Sequence, residues 1–120
     1  MPRARKGAAK RQGRKRVLKE AEGFWGGRKN LFRKAKETLL RAGAFAYRDR
    51  KARKRVFRKL WVIRINAAAR ERGLTYSQFM GGLIKAGVEI DRKQLAEMAV
   101  SDPQGFDKVF DTAKAQLKAA

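Results

Sequence analysis

Residues 1–60 hold 23 lysines and arginines against four acids, a balance of +19, whereas residues 61–120 hold nine against seven, only +2. Charge of one sign at that density, with few large apolar side chains among the first thirty residues, repels itself and closes no core. The first half therefore requires a polyanion as counterpart, and phosphate backbones are the usual one. Arginine is at least as common there as lysine. Its planar fork grips phosphate in two places and stacks on bases, which favours a folded nucleic acid over plain neutralisation. RNA is modestly preferred over DNA, because a flexible basic segment with glycines and aromatics suits grooves, bulges and unpaired bases.

The 120 residues contain neither cysteine nor histidine. Disulfides, thiolate and imidazole metal ligands, and the commonest nucleophiles and general bases are thereby removed, so no enzyme, cofactor or small-molecule substrate is expected. Glu89, Asp91 and Asp102 lie beside helix starts, where capping accounts for them. The most apolar run, Leu60 to Ile65, is short and contains Arg64, so no membrane span is expected. The Arg-rich N-terminus has no apolar helix face before Val17 and no secretory core, and reads as mature sequence of a cytosolic protein.

Periodicity predicts an all-α fold in which a long basic N-terminal extension and projecting helix join a small C-terminal bundle of short helices. Residues 1–58 form the extension and 59–120 the globular part. Residues 1 to about 15 read as an extended tail, with a short basic helix from near Gly13 carrying Val17, Leu18 and Ala21 on one side. Gly23 to Gly27 break it. From Asn30 to Arg70 Phe32, Ala35, Leu39, Ala42 and Ala46, then Ala52, Val56, Leu60, Ile63 and Ala67, recur at helical spacing. Such a helix is roughly 60 Å long. Its segment Arg48 to Arg55 has Ala52 as its one apolar member, so packing on protein does not hold it.

The second half is punctuated by end signals. Gly73 after Arg70 and Arg72 stops the long helix. Thr75 with Gln78, and Asp91 with Gln94, form capping boxes, and Leu74 with Phe79, and Ile90 with Leu95, form hydrophobic staples. Asp102 before Pro103 starts the last helix. Expected core residues are Trp61, Phe79, Leu83, Leu95, Phe106 and Phe110, with Tyr76, Met80, Ile84, Val109, Ala113 and Leu117 on the same faces.

The expected nucleic-acid contacts are Arg3, Arg5, Lys6, Lys10, Arg11, Arg14, Lys15, Arg16 and Lys19 in the tail, and Arg28, Lys29, Arg33 and Lys34 around the glycine turn. On the long helix they are Arg48, Arg50, Lys51, Arg53, Lys54, Arg55, Arg58, Lys59 and Arg64. Phe24 and Trp25 either anchor the start of that helix or stack on RNA. Lys85, Arg92 and Lys93 form a second patch on the body; a helix-turn-helix reading of residues 76–100 is weak, since Glu97 is unfavourable near phosphate. A DNA-compacting nucleoid protein is the main rival. A membrane-active cationic protein is disfavoured because no Trp/Leu face lies opposite Arg48 to Arg55.

The segments KRVFRKLWVIRINAAAR (Lys54 to Arg70), AYRDRKARKR (Ala46 to Arg55), GVEIDRK (Gly87 to Lys93) and the opening MPRA resemble the L-twenty family of bacterial large-subunit ribosomal proteins. The likeness covers essentially the whole chain, and GFWGGRKN resembles the family's glycine-aromatic turn. The resemblance implies an extension threaded into large-subunit rRNA, a helical C-terminal domain bound to rRNA at the surface, and a role early in subunit assembly. It implies neighbouring large-subunit proteins as partners and a place in the cytoplasmic ribosome. It also implies, in some members, repression of their own translation through the C-terminal domain on the mRNA leader.

Overall fold

The computed structural model describes Arg3, Lys6 and residues 7–119. Five helices follow in order: α1 (Gly7–Glu20), α2 (Phe32–Glu71), α3 (Tyr76–Lys85), α4 (Arg92–Ser101) and α5 (Pro103–Lys118), with a 3-10 turn at Gly26–Arg28. No strand occurs among the described residues. The chain divides into two compact units, Met1–Lys51 and Ala52–Ala120, and α2 runs through the division.

In the first unit, α1 begins at Gly7, not near Gly13, so residues 7–15 expected as an extended tail are helical. Ala8, Ala9 and Gln12 with straight-chain lysines and arginines are good helix formers, and that local preference outweighs the absence of an apolar period. α1 buries little of itself. Val17 and Leu18 are half-buried, and Ala21, just past its end, is fully buried, as is Ala35 of α2. The Arg14 guanidinium stands 5.5 Å from the centre of the Phe32 ring.

The second unit holds the main core, made of Ile65, Ala68 and Ala69 from α2, Phe79 and Leu83 from α3, Leu95 and Ala96 from α4, and Phe106, Phe110 and Ala113 from α5. Phe79 is its centre, 5.4 Å from Phe106 and 5.7 Å from Phe110 between ring centroids. Five of the six residues expected in the core are buried, and Trp61 packs on it half-buried. Ile84 is 74% exposed, outside the face assigned to it.

The expected stripe on α2 is also displaced. Val56 and Ile63 are 63% and 65% exposed, while the buried face is Trp61, Ile65, Ala68 and Ala69. Both sets recur at helical spacing, and period alone does not say which one meets the short helices.

The end signals act as expected. Gly73 (φ +92°) donates to Arg70 O, and Leu74 to Ala69 O, both at 3.0 Å, the paired bonds of a Schellman motif; Gly87 and Val88 repeat it onto Ile84 and Leu83. Thr75 Oγ1 accepts from the Gln78 amide while Gln78 Oε1 accepts from the Thr75 amide at 3.0 Å. Gln94 Oε1 accepts from the Asp91 amide at 3.3 Å, and Asp102 Oδ1 from the Gly105 amide at 2.9 Å. Beyond these signals, Arg72 ties the end of α2 to α5: it donates to Asp107 and to Ala68 O (2.9 Å), and lies 5.1 Å from the centre of the Phe106 ring.

α3 approaches α5 closely at Gly82, where an added Cβ would stand 2.6 Å from Ala113 O. Gly82→Ala should therefore separate the two helices and cost about 1–3 kcal/mol, the usual penalty of overpacking. Phe110→Ala should cost about 3–5 kcal/mol through the cavity it leaves. Denaturant unfolding of the whole chain measures both; values within 0.5 kcal/mol of wild type would mean that this core is not what holds the unit together.

Candidate nucleic-acid interface

Where cations have no acidic partner and no apolar cover, their side chains remain available to a polyanion, and the first half of the chain meets that condition. Arg3, Lys6 and, on α1, Lys10, Arg11, Arg14, Lys15, Arg16 and Lys19 are exposed. Arg5, expected among them, lies outside the described residues. Arg28, Lys29, Arg33 and Lys34 are exposed around the turn and the start of α2. In residues 1–60 the ion pairs among the described residues are Lys34 with Glu37 (3.9 Å) and Arg48 with Asp49 (2.9 Å), both at the surface, where such pairs contribute little.

On α2, Arg48, Arg50, Lys51, Arg53, Lys54, Arg55, Arg58, Lys59 and Arg64 are exposed. At 3.6 residues per turn the cations from Arg48 to Lys59 surround the helix on every side but one. That side carries Ala52, Val56, Leu60 and Ile63, so the rod is charged around most of its circumference with one narrow apolar strip. Aromatics steady two of the cations: Arg48 lies 4.7 Å from the Phe45 ring centre and Lys51 5.3 Å from that of Tyr47.

The turn between α1 and α2 is built on glycine. Gly23 (φ +85°) and Gly26 (φ +61°) take left-handed conformations that side chains with a Cβ resist, and they reverse the chain within a few residues. Phe24 is half-buried and Trp25 is 89% exposed, so of the pair Phe24 is the one that packs on the protein. Gly23, Phe24, Trp25 and Arg28 face Thr38, Arg41, Ala42 and Phe45 of α2 across an open concavity of about 580 Å³. Arg41 and Phe45 were not among the expected contacts. The helical spacing of Thr38, Arg41, Ala42 and Phe45 puts them on one side of α2, but that spacing does not say which side the glycine turn faces.

On the body, Lys85 and Lys93 are exposed at the end of α3 and the start of α4. Arg92 is half-buried, and its Nε donates to the Tyr76 hydroxyl at 2.9 Å, so part of its guanidinium is spent inside the fold. Asn66, beside the exposed Arg64, is likewise turned to the body: its Oδ1 accepts from the Tyr76 amide and from Arg70 Nε, each at 3.3 Å. Among the described residues no helix is long and apolar enough to cross a membrane.

Like charges on successive turns of an exposed helix should make residues 48–55 its least protected part in the free protein. Amide exchange there should be faster than at residues 61–69 and should slow on adding RNA. Equal protection of both segments without RNA would contradict this.

Residues 3–109 match the family described as Ribosomal protein L20. The large ribosomal subunit protein bL20 of Rhodopirellula baltica is 61% identical over 117 residues, covering 98% of this chain and 99% of that protein. The bL20 of Delftia acidovorans is 56% identical over 119 residues, covering 99% and 100%, and that of Methylibium petroleiphilum 54% over 117, covering 98% and 99%.

Proposed function

The chain belongs to the ribosomal protein L20 family, and on that premise we propose that it binds large-subunit rRNA through its basic first half and supports early assembly of the subunit. It is a structural, non-enzymatic component of the large ribosomal subunit, at work in the cytoplasmic ribosome, with rRNA and other ribosomal proteins as its surroundings. The observation that carries the rRNA reading is the exposed and almost wholly unpaired set of cations among the described residues of 1–60. Each phosphate neutralised releases condensed counterions, and the helix that carries the cations is relieved of its self-repulsion. An extension that orders further on RNA holds segments of the folded RNA together, which is the physical content of an assembly role.

The division of labour follows an extension at residues 1–58 and a body at 59–120. The body contains the core and all the capping signals of its short helices, so a fragment from Lys59 to Ala120 should fold alone. Its exposed Lys85 and Lys93, with Lys59 and Arg64 at the end of the basic run, are what it offers to RNA, either at a local rRNA site or on the leader of its own messenger. The rival reading, compaction of DNA, is separated by preference: folded rRNA fragments should be bound more tightly than duplex DNA at physiological salt.

Arg50→Ala and Arg53→Ala should each weaken rRNA binding mildly and lower the slope of log K against log salt by about 0.7 to 0.9 per phosphate contact removed. Filter binding across a salt series reads this directly. Loss of binding by one such variant with an unchanged slope would place a base contact there instead. The folded body fragment should show a shallower slope than the whole chain, and no affinity at low salt would confine RNA binding to the extension.

A further inference from the structure

The concavity between the glycine turn and α2 has a composition that plain phosphate binding does not explain. Trp25 keeps 89% of its surface in water and Phe45 49%, although both stand at the edge of a hollow that folding has already formed. The left-handed Gly23 and Gly26 bracket Phe24 and Trp25 and hold them across from α2. Two guanidiniums, Arg28 and Arg41, line the same hollow, and no carboxylate does. Thr38 adds a hydroxyl that both donates and accepts.

A ligand matching this set is flat and apolar on its faces, polar at its edge, and joined to negative charge. A nucleobase with its flanking phosphates has these properties, and an aromatic side chain of a protein lacks the charge. In an A-form helix the base faces are stacked and out of reach, so the base must be unpaired, in a bulge, loop or end. The volume of about 580 Å³ lies within the range of roughly 300–1,000 Å³ typical of small-ligand sites.

We infer that this hollow is a nucleobase-binding site, in which one unpaired RNA base stacks on Trp25 against Phe45 while Arg28 and Arg41 hold its phosphates. The inference rests on the rRNA-binding reading and adds to it a site that reads RNA structure rather than charge. Arg41 and Phe45 become contacts that no run of basic residues marks.

The test uses the full chain and two short RNA duplexes, one fully paired and one carrying a single 2-aminopurine bulge, compared at the same salt. The bulged duplex should bind about 5- to 150-fold more tightly, the worth of one base–aromatic stack, and its 2-aminopurine emission should change on binding. Trp25→Ala and Arg41→Gln should bring the ratio of the two affinities close to one, and Trp25→Phe should keep most of it. Arg53→Ala, on the exposed rod, should lower both affinities and leave the ratio. Far-UV circular dichroism checks that each variant remains helical. Equal affinity for the two duplexes in the wild-type chain, with unchanged 2-aminopurine emission, would overturn the site while leaving charge-driven rRNA binding intact. Failure to bind either RNA would overturn both.

Discussion

Repulsion between like charges on a helix acts mainly between residues three and four apart, and the middle of α2 is dense with such pairs. Arg50 faces Arg53 and Lys54, Lys51 faces Lys54 and Arg55, and Arg55 faces Arg58 and Lys59. Each pair costs a few tenths of a kcal/mol and nothing nearby offsets them except Asp49. The helix continues through this segment because its neighbours on both sides are held. Ala35 is buried within the first unit, and Ile65, Ala68 and Ala69 lie in the core of the second. The result is a helix anchored by apolar packing towards both ends, with a self-repelling, solvent-exposed centre.

The body is arranged to hold that helix without adding to its charge. Its core is a set of three phenylalanines closed over small residues of α2, and Arg72 locks the last turn of α2 to α5 through Asp107 and the Phe106 ring. Several of the body's arginines are committed inside it: Arg72 to Asp107, Arg92 to Tyr76, Arg70 to Asn66. The low positive charge of residues 61–120 comes mainly from composition, nine cations against seven acids, where residues 1–60 have 23 against four. Lys85 and Lys93 are exposed at neighbouring helix ends in sequence, and Arg64, Arg70, Lys108, Lys114 and Lys118 are exposed as well.

Much of this organisation was legible in the residues because the interactions that set it are local. A capping box joins residues three apart, a Schellman motif spans six, and a charge imbalance is a matter of counting. Hence the ends of α2, α3 and α5 fall where Gly73, Thr75 with Gln78, and Asp102 with Pro103 place them. The start of α1 is not legible in the sequence because helix propensity without an apolar face is a weak signal, and here the local preference prevails from Gly7 onward. The exposure of the extension's cations was legible from their charge alone. Arg41 and Phe45 lie outside the dense basic runs and required the path of the turn.

By itself, then, the sequence determined the helical class, the boundaries of the short helices, the segregation of charge, and the phenylalanines that form the core. The tertiary structure decided which side of α2 is covered. Ala52, Val56, Leu60 and Ile63 share one side, Trp61, Ile65, Ala68 and Ala69 another, and helical period serves both equally well. Only the packing of α2 with Phe79, Leu95 and Phe106 selects the second. The same holds for Trp25, whose sequence neighbours say that the chain turns there but not what it turns towards. Its place across the hollow from Arg41 and Phe45 depends on the left-handed backbone of Gly23 and Gly26 and on the register of α2, a relation between segments that composition and spacing do not encode.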